Sequence, residues 1–348
     1  MTFADASGAL SRLWSQPLWR SLVPLVVVLA LGCVFHQEGA FFAWATHRDM
    51  LREISVHGIL ACGMTVVIVA GGIDLSVGSL LALAAVALAL LLMPLGWGAA
   101  AAVAIVLALG AAAGAANGVL VARLSIQPFV VTLAMMVFAR GLAKHLADGR
   151  KVTTYVEGPA GGRSVPMPEL FEAIDTRVLG GNVAVVTIVF IVCAALTWVL
   201  LRQLRIGRYL YAIGGNPAAA RHSGVPVARC LVIAYAYMGL LAAVAGICQA
   251  AQETHGDPET GAGYELDAIA MVVLGGTSLM GGRGGVGLTL VGALTLGFVQ
   301  KILSLNAFST GFRGGGFGAP FVGTAVTAPG HERRRAQSQQ QPHERVLT

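Results

Sequence analysis

Residues 202–229 read RQLRIGRYLYAIGGNPAAARHSGVPVAR, and this stretch decides the fold. It holds five arginines and no Asp or Glu, between two uncharged apolar runs at 183–201 and 231–251. Runs of about 20 apolar residues are long enough to cross a bilayer as helices. A short, purely basic loop between two such helices faces the cytoplasm. Inside the loop, Gly-Gly-Asn-Pro breaks one helical turn, Pro217 sits where a new helix can start, and AAAR continues as a short surface helix. A cytoplasmic loop carrying its own small helix offers a docking surface for another protein.

Composition sets the class. The chain is 56% hydrophobic and 11% charged, with a mean hydropathy of +0.75, values outside the soluble range. Residues 1–20 carry Asp5 and lead into apolar sequence without an A-x-A-like site, which predicts an uncleaved first span rather than a secretory signal. Cys33, Cys62, Cys193, Cys230 and Cys248 are scattered, with no C-x-x-C spacing, which speaks against a disulfide framework or a metal site. The net charge of +6 lies in loops and tail, so it reports membrane orientation and no nucleic-acid partner.

Apolar segments fall at 21–35, 54–72, 75–92, 97–121, 129–142, 183–201, 231–251, 268–280 and 286–303. The predicted fold is all-α, a polytopic integral membrane protein of about nine to ten transmembrane helices, the eighth segment being short enough for a broken or tilted helix. With Arg12 and Arg20 inside, Arg123, the 202–229 loop and Arg283 also fall inside. The 252–267 loop falls outside with five acids and no Lys or Arg, and so does the 145–182 loop. Arg48 and Arg52, in the first outer loop, run against this registry. The many small residues, as in GAAAGAANG at 110–118, suit close helix approach in lipid.

The segment AGGIDLSVGSL at 70–80 places a carboxylate between two apolar runs. Asp74 can cap the following helix by accepting from Ser76 or Val77 N–H, or the segment can be a polar broken-helix element lining a pathway. The segment VVLGGTSLMGGRGG at 272–285 echoes it: aligning Gly71-Gly72 with Gly275-Gly276 superposes Leu75 on Leu279 and Gly78 on Gly282. Paired Gly-interrupted segments point to a central site or gate in transporters. Asn117 and Thr132 can bond between helices or touch a polar solute. Snorkelling accounts for Arg140 and Lys144, and His57 reads as interfacial. There is no G-x-x-x-x-G-K-[ST], H-E-x-x-H or G-x-S-x-G, so these motifs offer neither an ATP site nor an enzyme, and no cofactor is called for.

Five segments together resemble a known family: GMTVVIVAGGIDLSVGSLLAL, NGVLVARLSIQPFVVTLAMM, LRIGRYLYAIGGNPAAARHSGVPV, GLLAAVAGI and GAGYELDAIAMVVLGGTSLMGGRGGVG. In this order they are similar to the permease subunits of bacterial sugar ABC importers that carry ribose, xylose, arabinose or galactose. The resemblance covers residues 56–305. It implies a multi-pass protein of the bacterial inner membrane surrounded by lipid, a second permease copy or paralogue, a cytoplasmic ABC ATPase that hydrolyses the ATP, and a periplasmic sugar-binding protein. The family's coupling loop falls on 207–225, with Gly207, Tyr211, Gly214, Gly215, Asn216, Arg221 and Gly224 as its expected contacts. Asp74, Ser76, Ser79, Asn117 and Thr132 are the expected pathway or gate residues, neutral apart from Asp74, as a weakly bound sugar requires.

The domains read as a cytoplasmic segment at 1–20, a permease domain at 21–305 and an atypical tail at 306–348. The family continues past 306 through a final apolar helix, whereas the best apolar piece here, 317–328, is 12 residues with two Gly and a Pro. A reading-frame error near Thr310 would produce such a composition, and residues 330–348 read as disordered. An ion-coupled secondary transporter is the alternative, with Asp74 as its support. A membrane subunit without transport leaves the coupling loop unexplained.

Overall fold

The computed structural model describes residues 17–156 and 162–306, so expectations for residues 1–16 and for the tail from 307 lie outside the described residues. All nine apolar segments fold as helices, α1 (Pro17–Val34), α2 (Trp44–Val69), α3 (Val77–Leu92), α4 (Ala99–Arg123) and α5 (Pro128–Leu146) among them. A folded outer region follows, with hairpin β1–β2 (Tyr155–Val156, Arg163–Ser164), helix α6 (Glu169–Asp175) and hairpin β3–β4 (Arg177–Val178, Val183–Ala184). Then come α7 (Val185–Arg202), α8 (Arg205–Gly215), α9 (Pro217–His222), α10 (Val227–Glu253), α11 (Tyr264–Leu274) and α12 (Val286–Leu305). Six of these, α2, α4, α5, α7, α10 and α12, are long and apolar enough to span a membrane, while Ser21–Val34 and α3 are shorter apolar helices.

Local chemistry sets the boundaries. Pro128 opens α5 and Pro217 opens α9, each at a position whose N–H has no intrahelical partner. Asn216 caps α9 by accepting from Ala219 N–H at 3.0 Å. The eighth segment is broken as expected: α11 has 11 residues and begins only after left-handed Gly263.

Helix α2 is the hub. Its residues 54–69 are buried throughout, packed by α7, α10, α11 and α12. Helices α4 and α5 instead turn large apolar side chains such as Leu120, Phe129, Val137 and Phe138 outward, as lipid-facing spans do. The small-residue run packs α4 against α10. A Cβ on Gly114 would lie 2.1 Å from Tyr235 O, and one on Gly110 would lie 2.4 Å from Gly239 O. These glycines let two backbones touch.

The structure also explains the two arginines that broke the charge registry. Helix α2 starts at Trp44, ten residues before its apolar run, so Arg48 and Arg52 lie on a helix above it. Arg52 pairs with Asp175, Arg48 donates to Gly181 O at 3.1 Å, and neighbouring Asp49 accepts from Arg177 at 2.7 Å. These contacts hold both arginines within a folded outer cap. That cap ties the expected outer loops together: Val152 bridges Gly256, Arg163 reaches Pro94 O at 3.5 Å, and Asn306 donates to Phe35 O at 3.0 Å.

Candidate functional site: two helix breaks and the loop between them

Two non-helical breaks interrupt the bundle. In the first, Gly71 takes a left-handed backbone with φ 83°. Asp74 then accepts from Ser76 N–H at 2.9 Å and from Ser76 Oγ–H at 2.5 Å. Asn117 of α4 donates to Ser76 Oγ at 3.1 Å, and Thr132 of α5 reaches Ile73 O at 3.4 Å. All four side chains are fully buried. Asp74 makes the expected bond to Ser76 N–H, but Ser76 is itself the N-cap of α3, so Asp74 braces the turn before the helix rather than capping its first turn, inside a polar cluster spanning three elements. Asp74 Oδ2, Asn117 Oδ1 and Tyr235 OH carry no hydrogen bond among the described residues. Ser79, one turn further along α3, does not join this cluster; it lines a separate groove beside α5.

The second break runs from Gly275 to Gly285, with Gly276, Gly281, Gly282 and Gly284 at positive φ. It meets the first directly, since Gly282 N–H donates to Val69 O at 2.9 Å. The C-terminal half of α8 seats against both. A Cβ on Gly214 would fall 2.0 Å from Val69 O and 2.5 Å from Gly282 N, and one on Gly281 would fall 2.9 Å from Gly214 Cα and 3.0 Å from Gly71 Cα. Tyr211 OH adds a hydrogen bond to Gly284 O at 2.9 Å, and burial raises its phenol above its ordinary value.

The two glycines of the break differ. A Cβ on Gly215 meets nothing within 4 Å. The steric demand falls on Gly214, because it alone of the pair faces Val69. Gly207 is also constrained, its Cβ position lying 2.3 Å from Leu201 O where α7 turns into α8. Gly224 supplies a left-handed turn after α9. Buried Leu210 and Ile213 hold α8 against the bundle, while Arg202, Arg205, Arg208, Arg221 and Arg229 are all exposed.

Two more polar groups sit differently from their sequence reading. His57 is buried inside the bundle rather than interfacial: its ring lies 4.1 Å from the Tyr264 ring, and Nε2 lies 3.4 Å from Asp267 Oδ2. Arg140 does not snorkel; it donates to Pro258 O and Thr260 O, both at 2.6 Å. Lys144 pairs with Glu259 at 2.6 Å. The partners lie more than a hundred residues away in the chain, so no local signal marks these contacts. No group of three or more His, Cys, Asp or Glu side chains that could hold a metal ion occurs among the described residues.

A bundle of apolar helices, six of them long enough to span a membrane, defines a polytopic membrane protein. Residues 47–319 match the family described as branched-chain amino acid transport system / permease component, and the chain belongs to that family. It is similar to the ribose import permease protein RbsC of Escherichia coli K12, 42% identical over 315 residues, 89% of this chain and 93% of that protein. It is also similar to two other E. coli K12 proteins. The L-arabinose transport system permease protein AraH is 34% identical, covering 86% of each chain. The galactofuranose transporter permease protein YtfT is 36% identical, covering 82% of each. No solved structure matches the chain. The chain is a multi-pass permease of the bacterial inner membrane, and it is a transport subunit rather than an enzyme.

Proposed function

We propose that the chain forms the translocation pathway of an ATP-driven monosaccharide importer. Its relatives are named for pentose and galactofuranose transport, and its buried polar residues suit a neutral polyol. Asp74, Ser76, Asn117 and Thr132 offer hydrogen bonds at the first break, and the 202–229 loop is the coupling element. The observation that carries this reading is the seating of Gly214 between Val69 and Gly282. A push on α8–α9 reaches both breaks through backbone contact, with no flexible side chain between them.

The partners follow from the importer reading. A cytoplasmic ABC ATPase meets the five exposed arginines through an acidic groove, a periplasmic sugar-binding protein delivers solute at the outer cap, and a second permease copy or paralogue completes the pathway. Residues 202–229 then form the cytoplasmic loop of the permease domain. Co-purification tests the docking: Arg221→Glu and Gly214→Val lose the ATPase while membrane insertion and yield stay intact. If both variants hold the ATPase as the wild type does, the docking assignment is wrong.

A further inference from the structure

A groove of about 390 Å³ lies between α3, α5 and the turn entering α11, with Ser79, Met136, Arg140, Gly141, Lys144 and Glu265 in its lining. We propose that this groove is a monosaccharide subsite on the outer side of the first break, in which Ser79, Arg140 and Glu265 hydrogen-bond a neutral polyol. The inference rests on the importer reading above and names residues outside the helix-break cluster.

Size, chemistry and charge support it. Ligand cavities typically run from about 300 to 1,000 Å³, mostly apolar with a few placed polar groups. A sugar hydroxyl both donates and accepts. Arg140 and Lys144 bring donors, Glu265 brings acceptors, and Ser79 brings both. Met136 and Gly141 supply an apolar wall for the C–H face of a sugar ring. The charges balance: Lys144 is paired with Glu259 at 2.6 Å, and Arg140 shares the groove with Glu265. A balanced site favours a neutral solute over an anion or a cation.

The polar groups are also positioned by backbone. Arg140 is held by Pro258 O and Thr260 O, which fixes the loop that carries Gly263 and Glu265. A Cβ on Gly78 would lie 2.1 Å from Gly261 O and 2.7 Å from Glu265 Oε2. The missing side chain at Gly78 thus brings the Glu265 carboxylate alongside α3, one residue before Ser79. The groove runs from Ser79, one turn past the first break, to Lys144, whose partner Glu259 belongs to the loop joined to the outer cap, so it leads from the side where solute would arrive towards the break.

Gly141→Cys gives a probe, because it lines the groove and its Cβ would meet nothing within 4 Å. In the full chain in nanodiscs, with the native cysteines replaced, its modification by a small methanethiosulfonate is timed with and without D-ribose. Ribose at about twice its dissociation constant slows labelling by about threefold, while Met280→Cys at the opposite end labels at an unchanged rate. Adding Glu265→Ala, which removes the acceptors, abolishes the protection without loss of the bound ATPase. Unchanged labelling of Gly141→Cys across D-ribose, L-arabinose and D-galactose would overturn the subsite. So would normal sugar uptake by Ser79→Phe, which fills the groove. Failure of the wild type to take up sugar with ATP would instead remove the importer reading itself.

Discussion

At the residue scale, Gly214 and Gly215 separate two kinds of glycine that look alike in sequence. Both sit in the GGNP break, which the sequence marks plainly as a helix stop. Which of them is sterically essential depends on Val69 and Gly282, which are distant in the chain and reach the loop only after folding. Gly214→Ala is expected to lower ATP-driven uptake by about tenfold or more, as roughly 1.4 kcal/mol of strain at the junction would do. Gly215→Ala is expected to transport as the wild type does. Equal behaviour of the two variants in a vesicle uptake assay would show that the junction does not carry the stroke. Asp74 was legible for the opposite reason. Its partner is two residues away, so the D-x-S spacing alone predicted the bond to Ser76 N–H that the structure contains. His57 and Arg140 were misread because their partners, Asp267 and the Pro258 carbonyl, are invisible to any local pattern.

At the scale of elements, length and hydropathy located the nine apolar helices, and the short eighth segment announced its own break. The start of α2 was set ten residues late because its first turns are polar and pack in the outer cap. The α4–α10 crossing is the contact on which the bundle depends most openly, since Gly114 leaves no room above Tyr235 O. Gly114→Leu overpacks this crossing, a change that typically costs about 1–3 kcal/mol. It should lower the thermal unfolding midpoint of purified protein, and an unchanged midpoint would mean that the helices slide apart freely.

The outer loops carry a second testable element. Val152 and Gly256 exchange backbone hydrogen bonds at 2.8 and 2.9 Å, beside the Lys151–Asp257 pair at 3.0 Å. Burial alone would raise the Asp257 carboxyl, but the Glu259 N–H and Lys151 more than offset it and hold it below its ordinary value. A carboxylate lowered on folding stabilises the folded form above its unfolded pKa, and that contribution fades as pH falls through the lowered value. Amide exchange at Val152 and Gly256, corrected for intrinsic rates, should therefore be slow at neutral pH and quicken in strong acid. Asp257→Asn should flatten the dependence, and an unaltered profile in that variant would assign the protection elsewhere.

At the scale of the whole molecule, the breaks at 70–76 and 275–285 and the exposed arginines of α8–α9 gather at one end of the bundle, opposite the outer cap. The account's central claim is that ATP hydrolysis on a partner, pushing on 202–229, drives a sugar through this chain. The direct measurement is uptake of labelled D-ribose, L-arabinose or D-galactose into proteoliposomes holding the permease and its ATPase, with sugar-loaded binding protein added outside. The account predicts uptake of at least one of these sugars that requires enclosed ATP and disappears when the binding protein is omitted. Uptake driven by a sodium or proton gradient without ATP would contradict it.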